Sequence, residues 1–190
     1  MDNYGYSWTP ADQKHCLGGP LERVATYMEE RSNSAASSVV IGEELLNAVA
    51  QLFITEEIEW RPGAQALVEQ AHQLGIPTVI VTATWRSVLD TVMARMTESV
   101  GNFTHSIAGD EVQNSKPHPE PYLQAAISVG VPIAECLAIE DSPTGTLSAA
   151  AAGAKVIAVE HLANIDVEGV VILKTLVGQD IESLWKLFSD

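Results

Sequence analysis

Two runs of sequence decide how the chain is read: S-K-P-H-P-E-P-Y-L-Q-A-A, Ser115 to Ala126, and E-C-L-A-I-E-D-S-P-T-G-T-L-S-A-A-A-A-G, Glu135 to Gly153. The first sets Lys116 in a proline-rich loop that runs into a helix. The second is a short apolar run, Cys136 to Ile139, that stops at two adjacent carboxylates, Glu140 and Asp141. A small-residue helix follows from Pro143 to Ala152, closed by Gly153. A short apolar strand leading straight into a helix is the repeating unit of a parallel sheet covered on both faces.

Outward from that unit, helix and strand alternate from Trp60 onward. Arg61-Pro62-Gly63 opens a helix with Ala64, Leu67, Val68, Ala71 and Leu74 on one face, and Gly75 sits where a C-terminal cap belongs. Ile76 to Thr82, I-P-T-V-I-V-T, is a continuous apolar run, the mark of a strand buried on both faces. Helical period returns over Trp85 to Met96, a weaker strand covers Phe103 to Ile107, and a helix covers Pro119 to Val129. Further strands fall at Val156 to Val159 and Val170 to Leu173, and a last helix carries Ile181, Leu184, Trp185 and Phe188 with Asp180 as its N-cap. The alternation predicts a doubly wound, mainly parallel α/β sheet.

Before Trp60 there is no strand signal. Thr9-Pro10 with Asp12 starts a helix, and Leu17 to Pro20 breaks it. Leu21, Val24, Ala25 and Met28 mark a second helix, Ser32 to Ser38 reads as a loop, and Leu45, Leu46, Val49 and Leu52 mark a third over Gly42 to Phe53. The expected division is a helical module over 1–57 and an α/β core over 58–190. A formal net charge of −15 over 190 residues argues against nucleic acid and anionic lipid as partners. Cys16 and Cys136 form neither a disulfide framework nor a C-x-x-C metal pattern. No apolar run approaches the ~20 residues of a spanning helix, and the N-terminus lacks the features of a signal peptide. A cytoplasmic location is therefore expected. Nothing in the sequence sets the oligomeric state.

Ligands of open α/β sheets sit off the carboxyl ends of the strands, where three polar groups fall. Glu140 and Asp141 end an apolar strand, a costly place for unpaired charge, and a hard cation such as Mg²⁺ would offset it. A solvated loop in which Asp141 or Ser142 caps the next helix explains the same residues equally well. Lys116 can neutralise phosphate as a point cation, or be an ordinary surface lysine. Thr82 offers a hydroxyl, and Ala83 and Thr84 offer N–H groups at a helix start, an arrangement suited to an anion or to a simple turn. His15, His72, His105, His118 and His161 have no metal-ligand spacing. Asp110-Glu111 reads as a turn or cap, and Ser142 lacks the G-x-S-x-G context of a serine hydrolase.

V-T-A-T from Val81, G-D-E-V-Q-N-S-K-P-H-P-E-P-Y-L-Q-A-A from Gly109 and C-L-A-I-E-D-S-P-T-G-T-L-S-A-A-A-A-G-A-K-V-I-A-V from Cys136 resemble the haloacid dehalogenase (HAD) superfamily. The likeness is to its phosphatase and β-phosphoglucomutase-like branch with a helical cap, and it runs roughly from Trp8 to Val159. It implies a Rossmann-like core in which Thr82 and the Ala83 amide bind the transferring phosphoryl group. Lys116 would bridge phosphate and nucleophile, Glu140 and Asp141 would hold Mg²⁺, and the helical module would close over a small phosphorylated metabolite.

One departure from the family pattern stands out. The family begins with a central buried strand ending in D-x-D, whose first Asp is the nucleophile, and no such motif occurs here; Asp2 and Asp12 follow no apolar strand. Such a strand buries roughly four or five large apolar side chains, worth on the order of 10 kcal/mol, and its loss opens the inner edges of both neighbours. The expectation is therefore a core lacking its first strand, a 190-residue chain that is inactive, and a Met1 internal to a longer reading frame. A stop codon close upstream in frame would overturn the last of these. The implied activity is a Mg²⁺-dependent phosphohydrolase working through an aspartyl-phosphate. A sugar-phosphate mutase is one alternative, and a catalytically silent phosphate- or metal-binding remnant or interaction module is the other.

Overall fold

A computed structural model describes residues 4–16, 21–32, 35–160 and 164–188. Asp2, the break from Leu17 to Pro20, His161 and part of the 32–38 loop lie outside the described residues. The chain divides into two compact units, Met1–Glu56 and Glu57–Asp190.

The first unit holds α1 (Pro10–Cys16), α2 (Leu21–Arg31) and α3 (Ser38–Thr55). Its organising group is Asp12, which is buried yet fully partnered. The Asp12 carboxylate accepts the Thr9 N–H at 2.9 Å, the Thr9 hydroxyl at 2.5 Å, the Tyr6 hydroxyl at 3.0 Å and the Tyr27 hydroxyl at 2.6 Å. Arg31 stands 3.5 Å away. One carboxylate therefore starts α1 and ties it to α2. Ala25 and Met28 of α2 pack on Ile41 of α3, as the spacing predicts, with Trp8, Val24 and Leu45 around them. The helical stripe read on α3 is displaced. Its buried residues are Ile41 and Gly42 near the start, whereas Val49 and Leu52 are exposed. By length and composition alone α3 is apolar enough to cross a membrane, although the sequence reading found no such run.

The second unit alternates as expected. It holds α4 (Ala64–Gln73), β1 (Val79–Val81), α5 (Arg86–Val100), β2 (His105–Ile107), α6 (Glu120–Val129), β3 (Leu137–Glu140), α7 (Pro143–Ala152), β4 (Lys155–Val159), β5 (Val171–Leu173) and α8 (Ile181–Lys186). A 3₁₀ turn, Ile133–Glu135, precedes β3 and was not foreseen. All strand pairs are parallel. Leu67 of α4 and Leu184 of α8 pack on Ile157 and Val159 of β4; Tyr122 of α6 and Ala149 of α7 pack on Ala138 and Val156. Gly63 starts α4 at φ 88°, and a Cβ there would lie 2.3 Å from the Leu176 backbone, so the close approach of the two segments requires glycine.

The strands form two sheets: β1 with β2, and β3–β4–β5. Among the described residues nothing pairs with the second edge of β1 or of β3. The apolar run Ile76 to Thr82, read as a strand buried on both faces, yields only the three-residue β1, half-buried throughout. A second neighbouring strand would set its side chains beside those of β1 on both faces, and among the described residues β1 has only β2 beside it.

The pH response of the first unit follows from Asp12. Hydrogen bonds from Thr9 and then Tyr27 outweigh burial and hold its carboxyl far below the usual carboxylate range. A folded-state value depressed in this way adds stability above the unfolded value, and that stability is lost as pH falls toward the folded one. Helicity followed by circular dichroism should fall as pH drops below about 4. Asp12→Asn should lower the thermal midpoint at neutral pH and flatten this acid response.

Candidate active site at the ends of β1 and β3

Four of the five residues named from the sequence gather at neighbouring strand ends. Lys116 lies in the loop before α6, its side chain 8% exposed, and pairs with Glu140, 7% exposed, at 2.5 Å. The same ammonium donates to the Val81 carbonyl at 2.9 Å and to the Tyr122 hydroxyl at 3.4 Å. An ammonium has three protons, and all three are used. Thr82, next to Val81, ends β1 and donates its N–H to the Ile107 carbonyl at 3.0 Å.

Glu140 is held from both oxygens. Oε1 accepts from Lys116 and, through a short hydrogen bond, from the Tyr122 hydroxyl; Oε2 accepts from Ser142 Oγ at 3.1 Å. Burial first, and then the Glu140 charge, push the Tyr122 phenol well above its ordinary value, so it stays protonated as a donor. Ser142 Oγ in turn accepts the Gly145 N–H at 3.1 Å, capping α7. Of the two caps the sequence allowed, the structure takes Ser142. Gly145 is bare because a Cβ there would fall 2.0 Å from Glu140 Oε2. Ser148 on α7 donates to the His118 carbonyl at 2.6 Å and so anchors the loop that carries Lys116.

Asp141 points elsewhere. It is 47% exposed and faces Arg61 at 3.6 Å, a surface pair of small worth. The two carboxylates thus have different partners at one strand end. Carboxylate oxygens suit a hard cation in kind, and Asp141 offers them to solvent. Among the described residues, no three His, Cys, Asp or Glu side chains cluster as a metal site would require.

The anion-binding turn after β1 is more committed than its sequence suggests. Thr82 Oγ1 accepts the Thr84 N–H at 3.1 Å, which leaves the hydroxyl proton available but uses one amide. Helix α5 begins at Arg86, one residue later than the Trp85 start read from the pattern. The Asp110 carboxylate takes the Arg86 N–H at 2.8 Å, and Glu111 pairs with the Arg86 guanidinium at 2.5 Å. Asp110-Glu111 is therefore a cap, as read. Gly109 lets this loop press on the turn, since a Cβ there would meet the Ala83 carbonyl at 2.2 Å. Ala83 is exposed. Sequence reasoning missed Tyr122, Gly145 and Arg86. The available signal for Tyr122 was a polar-tipped aromatic in the first turn of the helix that follows the lysine loop.

Two substitutions test this geometry. Lys116→Met leaves Glu140 buried without its cation and should cost about 3–5 kcal/mol in urea unfolding. Gly145→Ala should cost about 1–3 kcal/mol in the same measurement, because the methyl group drives Glu140 out of place. Either variant at wild-type stability would contradict the arrangement described.

The haloacid dehalogenase-like hydrolase family model matches residues 1–159. Protein CbbY of Rhodobacter capsulatus is 32% identical over 158 residues, covering 79% of this chain and 69% of the relative. A probable pseudouridine-5'-phosphatase of Drosophila melanogaster is 29% identical over 84% of this chain and 70% of its own length. Among solved structures, CbbY from Rhodobacter sphaeroides in complex with phosphate superposes with a TM-score of 0.82 at 23% identity, over 94% of this chain and 84% of that one. β-Phosphoglucomutase from Clostridium difficile gives 0.75 at 18% identity, over 97% and 84%. The strand-end lysine, the Glu-Asp pair and the parallel α/β core thus sit in a chain that belongs to the haloacid dehalogenase-like hydrolase family.

Proposed function

We propose that this chain carries the phosphate-binding half of a Mg²⁺-dependent phosphohydrolase site for a small phosphomonoester. The observation that carries the reading is the position of Lys116, whose ammonium links the end of β1 beside Thr82 to Glu140 at the end of β3. A cation, a hydroxyl and the backbone N–H of the exposed residue Ala83 fall together at the end of β1, which suits a phosphoryl group.

In this reading Thr82 donates its hydroxyl to a phosphoryl oxygen, the Ala83 N–H donates to another, and Lys116 offsets their charge. Asp141 would hold Mg²⁺ directly and Glu140, whose oxygens are taken by Lys116, Tyr122 and Ser142, would reach it through water; the ion when bound supplies further charge neutralisation. The reaction needs an aspartate carboxylate to attack phosphorus while the alcohol leaves and takes a proton; water then hydrolyses the acyl phosphate to orthophosphate. No D-x-D segment is present in the 190 residues to supply that carboxylate. In this reading the 190 residues lack the attacking group, and the helical unit Met1–Glu56 serves as the cap.

A second reading, a catalytically silent phosphate- or metal-binding remnant, draws support from Lys116, whose three donors are all engaged within the protein. The test is hydrolysis of p-nitrophenyl phosphate with Mg²⁺, where the expected result is no turnover above background. Turnover that disappears in Asp141→Ala would reveal a replacement nucleophile and overturn the inactivity.

A further inference from the structure

The turn after β1 is held by the loop after β2. The Gly109 N–H donates to the Thr84 carbonyl at 2.9 Å, and the Asp110 carboxylate takes the Arg86 N–H at 2.8 Å. Within the turn, Thr82 Oγ1 takes the Thr84 N–H at 3.1 Å. Among the described residues no group takes the Ala83 N–H. Because Gly109 lies against the Ala83 carbonyl, with no room for a Cβ, a shift of the loop would move the Ala83 backbone.

One side chain fixes that loop. Arg86 stands two residues past Thr84, where a guanidinium beside an anion-binding turn would ordinarily be taken for a ligand of the anion. A guanidinium has five N–H donors, and here each has a partner. Nε donates to Glu111 Oε1 at 2.9 Å and Nη2 to Glu111 Oε2 at 2.5 Å, a bidentate pair. Nη1 donates to Asp90 Oδ1 at 3.2 Å and to Ser106 Oγ at 2.9 Å, and Nη2 donates again to the Ser106 carbonyl at 3.1 Å. Glu111 Oε2 also accepts the Ala108 N–H at 2.8 Å. Hydrogen bonds from Arg86, and then from Ala108, hold the Glu111 carboxyl below its ordinary value, so the pair is ionised at neutral pH. A lysine such as Lys116 can trade one contact for another by turning its stem. A planar fork clamped from two sides cannot release one donor without shifting the rest.

On the phosphate-binding reading of Thr82 and Lys116, we infer that Arg86 is a positioning residue for the phosphoryl group and not its ligand. With Glu111 it locks the 108–111 loop to β2 and to the start of α5, and the locked loop holds the Thr82 hydroxyl and the Ala83 N–H in place for phosphate. Asp110 acts in the same clamp through the Arg86 backbone.

Two conservative variants separate positioning from direct contact. Arg86→Lys keeps the positive charge and loses the planar fork. Glu111→Gln removes a negative charge near the turn and leaves Arg86 itself in the chain. Inorganic phosphate should be titrated into the full chain with Mg²⁺ present, with the Ala83 amide followed by NMR. Each variant should weaken phosphate binding by about tenfold, the scale of one charged hydrogen bond, while the amide signals of β4 and α8 stay in place. The double variant should lose no more than either single one, because both break one clamp. A guanidinium that met the phosphate directly requires the opposite sign for Glu111→Gln, since deleting a neighbouring carboxylate strengthens anion binding. Binding that is unchanged or tighter in Glu111→Gln overturns the positioning role and leaves the phosphate reading standing, even if the thermal midpoint falls. Absence of binding in the unaltered chain overturns both.

Discussion

The pairing of Lys116 with Glu140 is the constraint on which the second unit depends. Two parallel sheets that share no strand ladder meet at this point. The lysine takes the last carbonyl of the open edge of β1 and the carboxylate that ends β3. Both side chains are nearly out of solvent, where a lone charge would be expensive. Their neighbours are correspondingly specified. Tyr122 donates to the carboxylate from α6, Ser142 donates from the cap of α7, and Gly145 leaves the space that any side chain would take. Helices α6 and α7 are therefore positioned through polar contacts to one glutamate as well as through their apolar faces.

The same pairing sets what the strand end can do. Glu140 is turned inward by three donors, and Asp141 is left to solvent beside Arg61. Two adjacent carboxylates that look equivalent on paper thus differ in role. One joins elements of the fold, and the other is left accessible to solvent. A phosphoryl group arriving at Thr82 would meet a lysine already engaged by a carbonyl and a carboxylate, and binding would have to redistribute those bonds. The first unit shows the same economy on a smaller scale: Asp12 collects donors from the α1 start and from Tyr27, so that one buried carboxylate orders a helix pair.

Much of this could be read from the chain. The strand-then-helix pattern from Trp60 onward gave the parallel α/β architecture, because apolar runs and glycine caps are local signals. Lys116, Thr82, Glu140 and Asp141 stood out because they fall at strand ends or in a proline-rich loop. What could not be read were the partners. Tyr122 looks like any aromatic on a helix, and Gly145 like any residue of a small-residue run. Arg86 gives no hint that Asp110, 24 positions on, will cap its helix. The long apolar run Ile76 to Thr82 promised a fully covered strand, and α3 promised a buried stripe along its length; neither promise could be checked without knowing what lies beside them.

The sequence by itself determined the class of fold, the strand ends at which its polar residues fall and the family pattern, because these rest on spacing along one chain. Only the tertiary structure decided that β1–β2 and β3–β4–β5 form separate ladders, that Glu140 turns toward Lys116 while Asp141 faces Arg61, and that Tyr122 and Ser142 complete the carboxylate's partners. Those outcomes depend on which distant groups compete for the same carboxylate and the same backbone edge. That competition is settled by geometry and burial in three dimensions, for which neighbours in sequence carry no signal.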